Sequence, residues 1–356
     1  MKELNNKIRI KDIALLAGVS EGTVDRVLHQ RGDVSVKSLA AVNKVLEEIN
    51  YTPNILARSL ASKKQYRFVC LFPKHHLADY WQNVDDGFDI AANEFIHFNV
   101  HLEKYYFNQF DAQSFIDVSK SIPKENLDAV FIAPIFREEC LLFITELQNH
   151  NIPFSFIDSM IEGTDFVTYY GQNSFQSGYI AAKLLLNPLA EKEKVLVIRT
   201  QRKGAVSNQT VNRNSGFVQY IRDKNLVDKL ELINVELKND EISNLKVLRD
   251  VFQKHKDIKA VITFNSKVYR LAMHLETLNC SDVRLIGYDL LEQNVAYLQR
   301  DVVSYLIAQR PDKQAYFTVR DMCRKLIFKQ EISNINYVPI DILMKENIDY
   351  YLKFSE

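Results

Sequence analysis

Between residues 68 and 287 the chain alternates short apolar runs with amphipathic stretches, and this rhythm constrains its fold more than any other feature. Phe68–Phe72, Val100–Tyr105, Ala129–Ala133 and Phe154–Ile157 read as strands, with helices expected over 84–95, 112–121 and 139–150. The cycle restarts with a helix at 176–186. It continues as strand 195–199, helix 216–224, strand 230–235, helix 243–254, strand 260–264, helix 268–278 and strand 284–287. Strands that alternate with helices of crossover length specify parallel sheets covered on both faces. Two cycles predict two Rossmann-like lobes, with a cleft at the carboxyl ends of their strands.

Residues 1–64 follow a different pattern. They carry 11 Lys and Arg against 7 Asp and Glu, while the remainder carries 34 against 38. A basic end on a neutral chain points to a polyanionic partner for that end alone, the alternative being an ordinary solvated surface. Ile10, Ile13, Ala14 and Ala17 share a helical face, and Gly18 ends the helix. Ser20 is placed to cap a second helix, 21–29, with Val24, Val27 and Leu28 buried and Glu21, Gly22, Asp25, Arg26 and His29 facing outwards. Ser35 caps a third, with Leu39, Val42, Val45, Leu46 and Ile49 inside. Three helices with an Ala-Gly-Val-Ser turn predict an all-α helix-turn-helix head, whose second helix fits a DNA major groove. A generic three-helix bundle shares the pattern.

From Tyr51 to Lys64 a short helix is expected, capped by Thr52 and started by Pro53, with Ala57, Leu60 and Ala61 on one face. About three turns are too few to hold a helix alone in water, so it needs a surface to dock on.

The head and hinge resemble those of the lac repressor (LacI) family of bacterial transcription regulators. The residues carrying the likeness are Ile10-Lys-Asp-Ile-Ala14, Ala17-Gly-Val-Ser20, Thr23-Val24, Arg26-Val27-Leu28, Val34-Ser35, Tyr51, Pro53-Asn54 and Ala57-Arg-Ser-Leu60. The resemblance implies that Glu21, Gly22 and Arg26 read bases and that Ser20, Thr23 and Asn54 contact the DNA backbone. It also implies that Leu60 wedges into the minor groove, and Ala57 is the expected close contact between two chains. Arg26 has the donors to pair bidentately with guanine, and an apolar wedge such as Leu60 kinks a duplex. Glu21 suits only a cytosine amine, Gly22 has no side chain, and Asp25 stands where the family has Ser. Shape readout is therefore expected to carry part of the specificity.

The α/β body resembles the type I periplasmic-binding-protein fold of the same family, through Gly87, Asn173, Gly178, Arg213 to Gly216, Asn265, Ile286-Gly-Tyr-Asp289 and Gln309. The implied organisation is a head at 1–52, a hinge helix at 53–64 and an effector-binding and dimerisation domain at 65–356. Lobe 1 is expected at about 65–168 and 291–330, and lobe 2 at about 169–290 and 331–356. Arg213, Asn265, Asp289 and Gln309 fall at ligand-binding positions, with Arg213 and Asp289 as donor and acceptor to hydroxyls. Each keeps a plainer reading: an interlobe ion pair for Arg213, an Asn-Ser turn for Asn265. Tyr80 and Trp81, in the loop expected after the first strand, offer a stacking wall for a flat sugar face, the alternative for Trp81 being core or dimer packing. Asp158 and Arg199, at strand ends, bind ligand or cap structure.

The expected protein is a cytoplasmic, homodimeric regulator that binds a double-stranded operator and a small polar effector, a carbohydrate by resemblance. No cofactor, metal site or catalysis is expected. The four cysteines are scattered without a CxxC pair, no run is long enough to span a bilayer, and GxxxxGK, HExxH and GxSxG are absent. The rival readings are a helix-turn-helix fused to a sugar-acting enzyme such as a kinase, and an architectural DNA-binding protein with no effector.

Overall fold

The structure, a computed structural model, describes residues 9–28, 32–49, 64–187, 193–200, 207–238, 240–280 and 282–355. The chain divides into two units, Met1–Ser62 and Lys63–Glu356. Asn54, Ala57 and Leu60, with the expected hinge helix up to residue 63, lie outside the described residues.

The first unit holds α1 (Ile10–Ala17), α2 (Glu21–Leu28) and α3 (Val36–Glu48). Gly18 closes α1 at φ 63°, its N–H reaching the carbonyls of Ala14 and Leu15. That left-handed position is costly for any residue with a Cβ. The Ser20 hydroxyl accepts the Thr23 N–H at 3.1 Å and so caps α2. Ser35 caps α3 in the same way, accepting the Ser38 N–H at 3.1 Å. Ile13, Ala14, Val24, Val42 and Val45 form the small core. Leu39, expected inside, is instead 42% exposed, and Val36 beside it is 85% exposed. The two eight-residue helices leave the first turn of the longer α3 uncovered among the described residues.

Among the described residues the second unit contains two six-stranded sheets. The first uses β1 (Tyr66–Pro73), β2 (Val100–Phe107), β3 (Ala129–Ile132), β4 (Phe154–Asp158), β5 (Tyr169–Gly171) and β11 (Ile335–Tyr337), in the order β11-β5-β4-β3-β1-β2. The second uses β6 (Lys194–Thr200), β7 (Glu231–Leu237), β8 (Ile258–Thr263), β9 (Arg284–Tyr288), β10 (Tyr305–Ala308) and β12 (Asp341–Leu343), in the order β12-β10-β9-β8-β6-β7. The described pairings are parallel except that of β10 with β12. In each sheet the chain steps out on both sides of its first strand, at β1 and at β6, so the crevices lie beside those strands. Core strands such as β1 and β3 are apolar and buried along most of their length, as strands covered on both faces must be.

Among the described residues the chain passes between lobes three times, at 171–174, 308–311 and 337–341. This corrects the expected lobe limits. Tyr169–Gly171 and Ile335–Tyr337 belong to the first sheet, whereas Tyr305–Ala308 belongs to the second. These strands have three or four residues each, too short for a periodicity to show in sequence.

Two helices begin earlier than their apolar patterns suggest. Helix Tyr80–Phe95 starts after Asp79, so Tyr80 and Trp81 occupy its first turn and not a loop. Helix Asn208–Asp223 is capped by Ser207, whose hydroxyl accepts the Thr210 N–H, and its first half is polar. Gly178 lets this helix touch helix Ser174–Leu186: a Cβ there would lie 1.9 Å from the carbonyl oxygen of Arg213. The absence of one side chain thus sets where Arg213 sits.

Candidate functional site

The carboxyl ends of the two sheets face each other across a crevice of about 480 Å³, counting its open mouth. Tyr80, Trp81, Asp158, Arg213, Asn265, Asp289 and Gln309 all line it. Asp158 follows the core of β4 and Asp289 follows β9, equivalent places in the two lobes. Both take the left-handed backbone conformation, with φ of 68° and 71°. Asp tolerates that region better than most residues, and such strain concentrates at functional sites.

A buried network joins these groups across the lobes. The Tyr80 hydroxyl donates to Asp158 Oδ1 at 2.6 Å, and Gln209 Nε2 donates to the same oxygen at 2.9 Å. Gln209 also reaches Gln309 Oε1 at 3.1 Å. Gln309 Nε2 donates to Asp289 Oδ1 at 2.8 Å. The Arg213 guanidinium is 1% exposed. It donates to the Phe264 carbonyl at 2.8 Å and to Gln309 Oε1 at 3.2 Å, and it lies 3.8 Å over the Tyr288 ring. Its Nε is buried without a partner among the described residues, a donor that costs free energy until something accepts from it.

Burial pushes the Asp289 carboxyl up to about 7, against the pull of Arg213 and the Gln309 hydrogen bond, with Asp158 adding to the rise. Burial likewise holds Tyr80 well above the ordinary phenol range, with the two aspartates reinforcing it, so Tyr80 remains a proton donor. Trp81 is 6% exposed and meets Tyr80 edge to face at 5.0 Å. It packs in the core and also lines the crevice. Asn265 lines the crevice too, while its Oδ1 accepts the Lys267 N–H at 2.8 Å in a local turn and its Nδ2 donates to Thr200 at 2.8 Å.

Arg199 is not brought to the crevice. Neighbouring residues on a strand point to opposite faces, and Arg199 turns to Asn214 on helix Asn208–Asp223, at 3.2 Å. Gln209 is a central member that the sequence reading missed. A helix start at Ser207 would have revealed it, because Gln209 and Arg213 are four residues apart and share a face.

In the head, Glu21, Gly22 and Arg26 are exposed along α2 while Val24 anchors the opposite face. Ser20 is exposed and Thr23 half-buried, and their hydroxyls lie 2.9 Å apart at the start of α2. A helix held from behind with a polar front suits entry into a major groove.

A chain that has both a helix-turn-helix head and two lobes with a polar crevice belongs to a class of ligand-responsive DNA-binding regulators. Comparison with known proteins gives the family. Residues 9–54 match the model of bacterial regulatory proteins of the lacI family, and residues 69–330 match that of the periplasmic binding protein domain. The body is similar to a putative LacI transcriptional regulator from Bacteroides fragilis, with 38% identity, TM-score 0.76, and 81% of this chain and all of that one covered. The sucrose operon repressor of Streptococcus mutans is 22% identical over 343 residues, covering 96% of this chain and 99% of the repressor. GanP, a glucose–galactose binding protein from Geobacillus stearothermophilus, shares the fold at 21% identity and TM-score 0.70, over 80% of this chain and 99% of GanP. The chain belongs to the LacI family: it is a sequence-specific DNA-binding transcription regulator whose operator affinity answers to a small polar effector.

Proposed function

We propose that the effector is a sugar or a related polar metabolite, held between the lobes by Arg213, Asp158, Asp289, Asn265 and Gln309 against the wall of Tyr80 and Trp81. The observation that carries this reading is the meeting of a guanidinium donor, two carboxylate acceptors and an aromatic wall in one interlobe crevice. Adjacent ring hydroxyls need donors and acceptors side by side, and a sugar's apolar face stacks on an indole. The sugar-operon repressor and sugar-binding protein among the similar chains support it.

The working form is a cytoplasmic homodimer. Two heads read the halves of a near-palindromic operator, each hinge presenting Leu60 to the minor groove. Effector binding changes the lobe angle and with it the spacing of the hinges, so effector and operator affinities are coupled reciprocally. Thermal shift against sugars, uronic acids and nucleosides tests the effector class. A ligand at a hundred times its Kd adds about 2.7 kcal/mol of stability. The stabilising compound is expected to shift operator binding and to lose its effect in an Asp289→Asn protein. No stabilisation across the screen refutes the assignment.

A further inference from the structure

A second recess lies behind the crevice, on the side of the lobe crossovers. It is larger, about 1060 Å³ with its mouth included. Two of the three crossovers border it, through Gln172 and Asn173 in one and Tyr337 at the start of another. Gln172 is 1% exposed, and its Nε2 donates to Ala308 O at 2.9 Å and to Pro339 O at 3.4 Å. One side chain therefore ties all three crossovers together. Its Oε1, on the same side chain, is buried with no partner among the described residues.

The two recesses share one wall. On the lobe 1 side, Asp158 lines the crevice while Ser159 lines both recesses; on the lobe 2 side, Gln209 lines the crevice while Asn208 lines the second recess. Two interlobe hydrogen bonds cross that wall, Gln209 to Asp158 at 2.9 Å and Asn208 Nδ2 to the Met160 carbonyl at 2.8 Å. The lobes cannot change their angle without reshaping both spaces.

We propose that this hinge recess is a second small-molecule site, taking an uncharged polyhydroxylated ring or polyol and coupled to the crevice through the shared wall. The lining fits that chemistry. Carboxamides of Gln172, Asn173 and Asn212 offer donors and acceptors together. Phe175 and Tyr337, 42% and 52% exposed and from opposite lobes, supply apolar faces at the rim. Arg137 and Glu162 balance in charge, so the recess favours no ion of either sign. A ligand touching both lobes and Gln172 stabilises one lobe angle over others. Its effect on the effector is then a coupling free energy, and only that coupling rests on the effector reading of the crevice.

Ligand-detected saturation-transfer NMR on the full chain tests the site, with a panel of glucose, galactose, ribose, mannitol and inositol. The variants are Asp289→Asn for the crevice and Phe175→Ala with Tyr337→Ala for the recess. Both aromatics are exposed, so their loss leaves the core intact, and circular dichroism checks the fold. At least one panel member is expected to retain its signal in the Asp289→Asn protein and to lose about tenfold in affinity in the double variant, or about 1.4 kcal/mol. A panel in which no member binds the Asp289→Asn protein overturns the second site, as does any member binding that protein and the double variant equally. If instead Asp289→Asn alters no binding while the double variant does, the crevice assignment fails and the recess stands.

Discussion

The most quantitative expectation concerns Asp289. It is 4% exposed, and its carboxyl rises from an ordinary 3.8 to about 7. The folded state therefore binds this proton more tightly than the unfolded chain does. Below about pH 4 the group is protonated in both states and costs nothing; above about pH 7 it is charged in both, and the folded state bears the full cost of a buried anion. At about 1.4 kcal/mol per pH unit, the displacement corresponds to about 4 kcal/mol. Asn has the shape of the neutral acid and no charge at any pH. Asp289→Asn is thus expected to match the parent near pH 4, to gain stability progressively as pH rises from about 4 to about 7, and to level off above that at about 4 kcal/mol. Trp81, the only tryptophan, lines the same crevice and reports unfolding of this unit by fluorescence. Urea titrations of the two proteins across that range give the difference, because titrating groups that are not coupled to Asp289 cancel; the coupled ones are Asp158, Arg213 and Tyr80. A difference that stays flat with pH, or a variant less stable than its parent at pH 8, refutes the reasoning.

Three further outcomes follow from named contacts. Gly178→Ala puts a methyl 1.9 Å from the Arg213 carbonyl and is expected to cost about 3 kcal/mol, seen as a lower urea midpoint. Arg26→Ala, at an exposed position on α2, is expected to weaken operator binding by about 1–3 kcal/mol and to relax selection at one base pair in a binding-site library. Leu60→Ala is expected to reduce specific binding strongly while analytical ultracentrifugation shows the dimer unchanged; an unaltered operator affinity removes the minor-groove role.

The alternation of apolar runs gave away the parallel lobes because burial on both faces leaves a long apolar strand. The head was legible through caps: Gly18, Ser20 and Ser35 mark helix limits whatever the tertiary context. Elements stabilised only by position were not legible. Tyr169–Gly171 and Ile335–Tyr337 pair at the sheet edge over three residues each, and no periodicity distinguishes them from a loop. Most of the crevice could be read from the family pattern, but Gln209 and the polar half of its helix could not. Their side chains face a crevice, so they lack the apolar stripe that reveals a helix. Arg199 failed for the opposite reason, since a strand end has two faces and only one opens on the crevice.

The late strands have a consequence for how the protein is made. The last described helix of the head ends at Glu48, early in synthesis, whereas β11 and β12 come at 335–343. A ribosome therefore emits a readable DNA-binding element long before either lobe has its full complement of strands. Messages truncated before Ile335 yield chains whose two sheets each lack an edge strand and expose unpaired backbone.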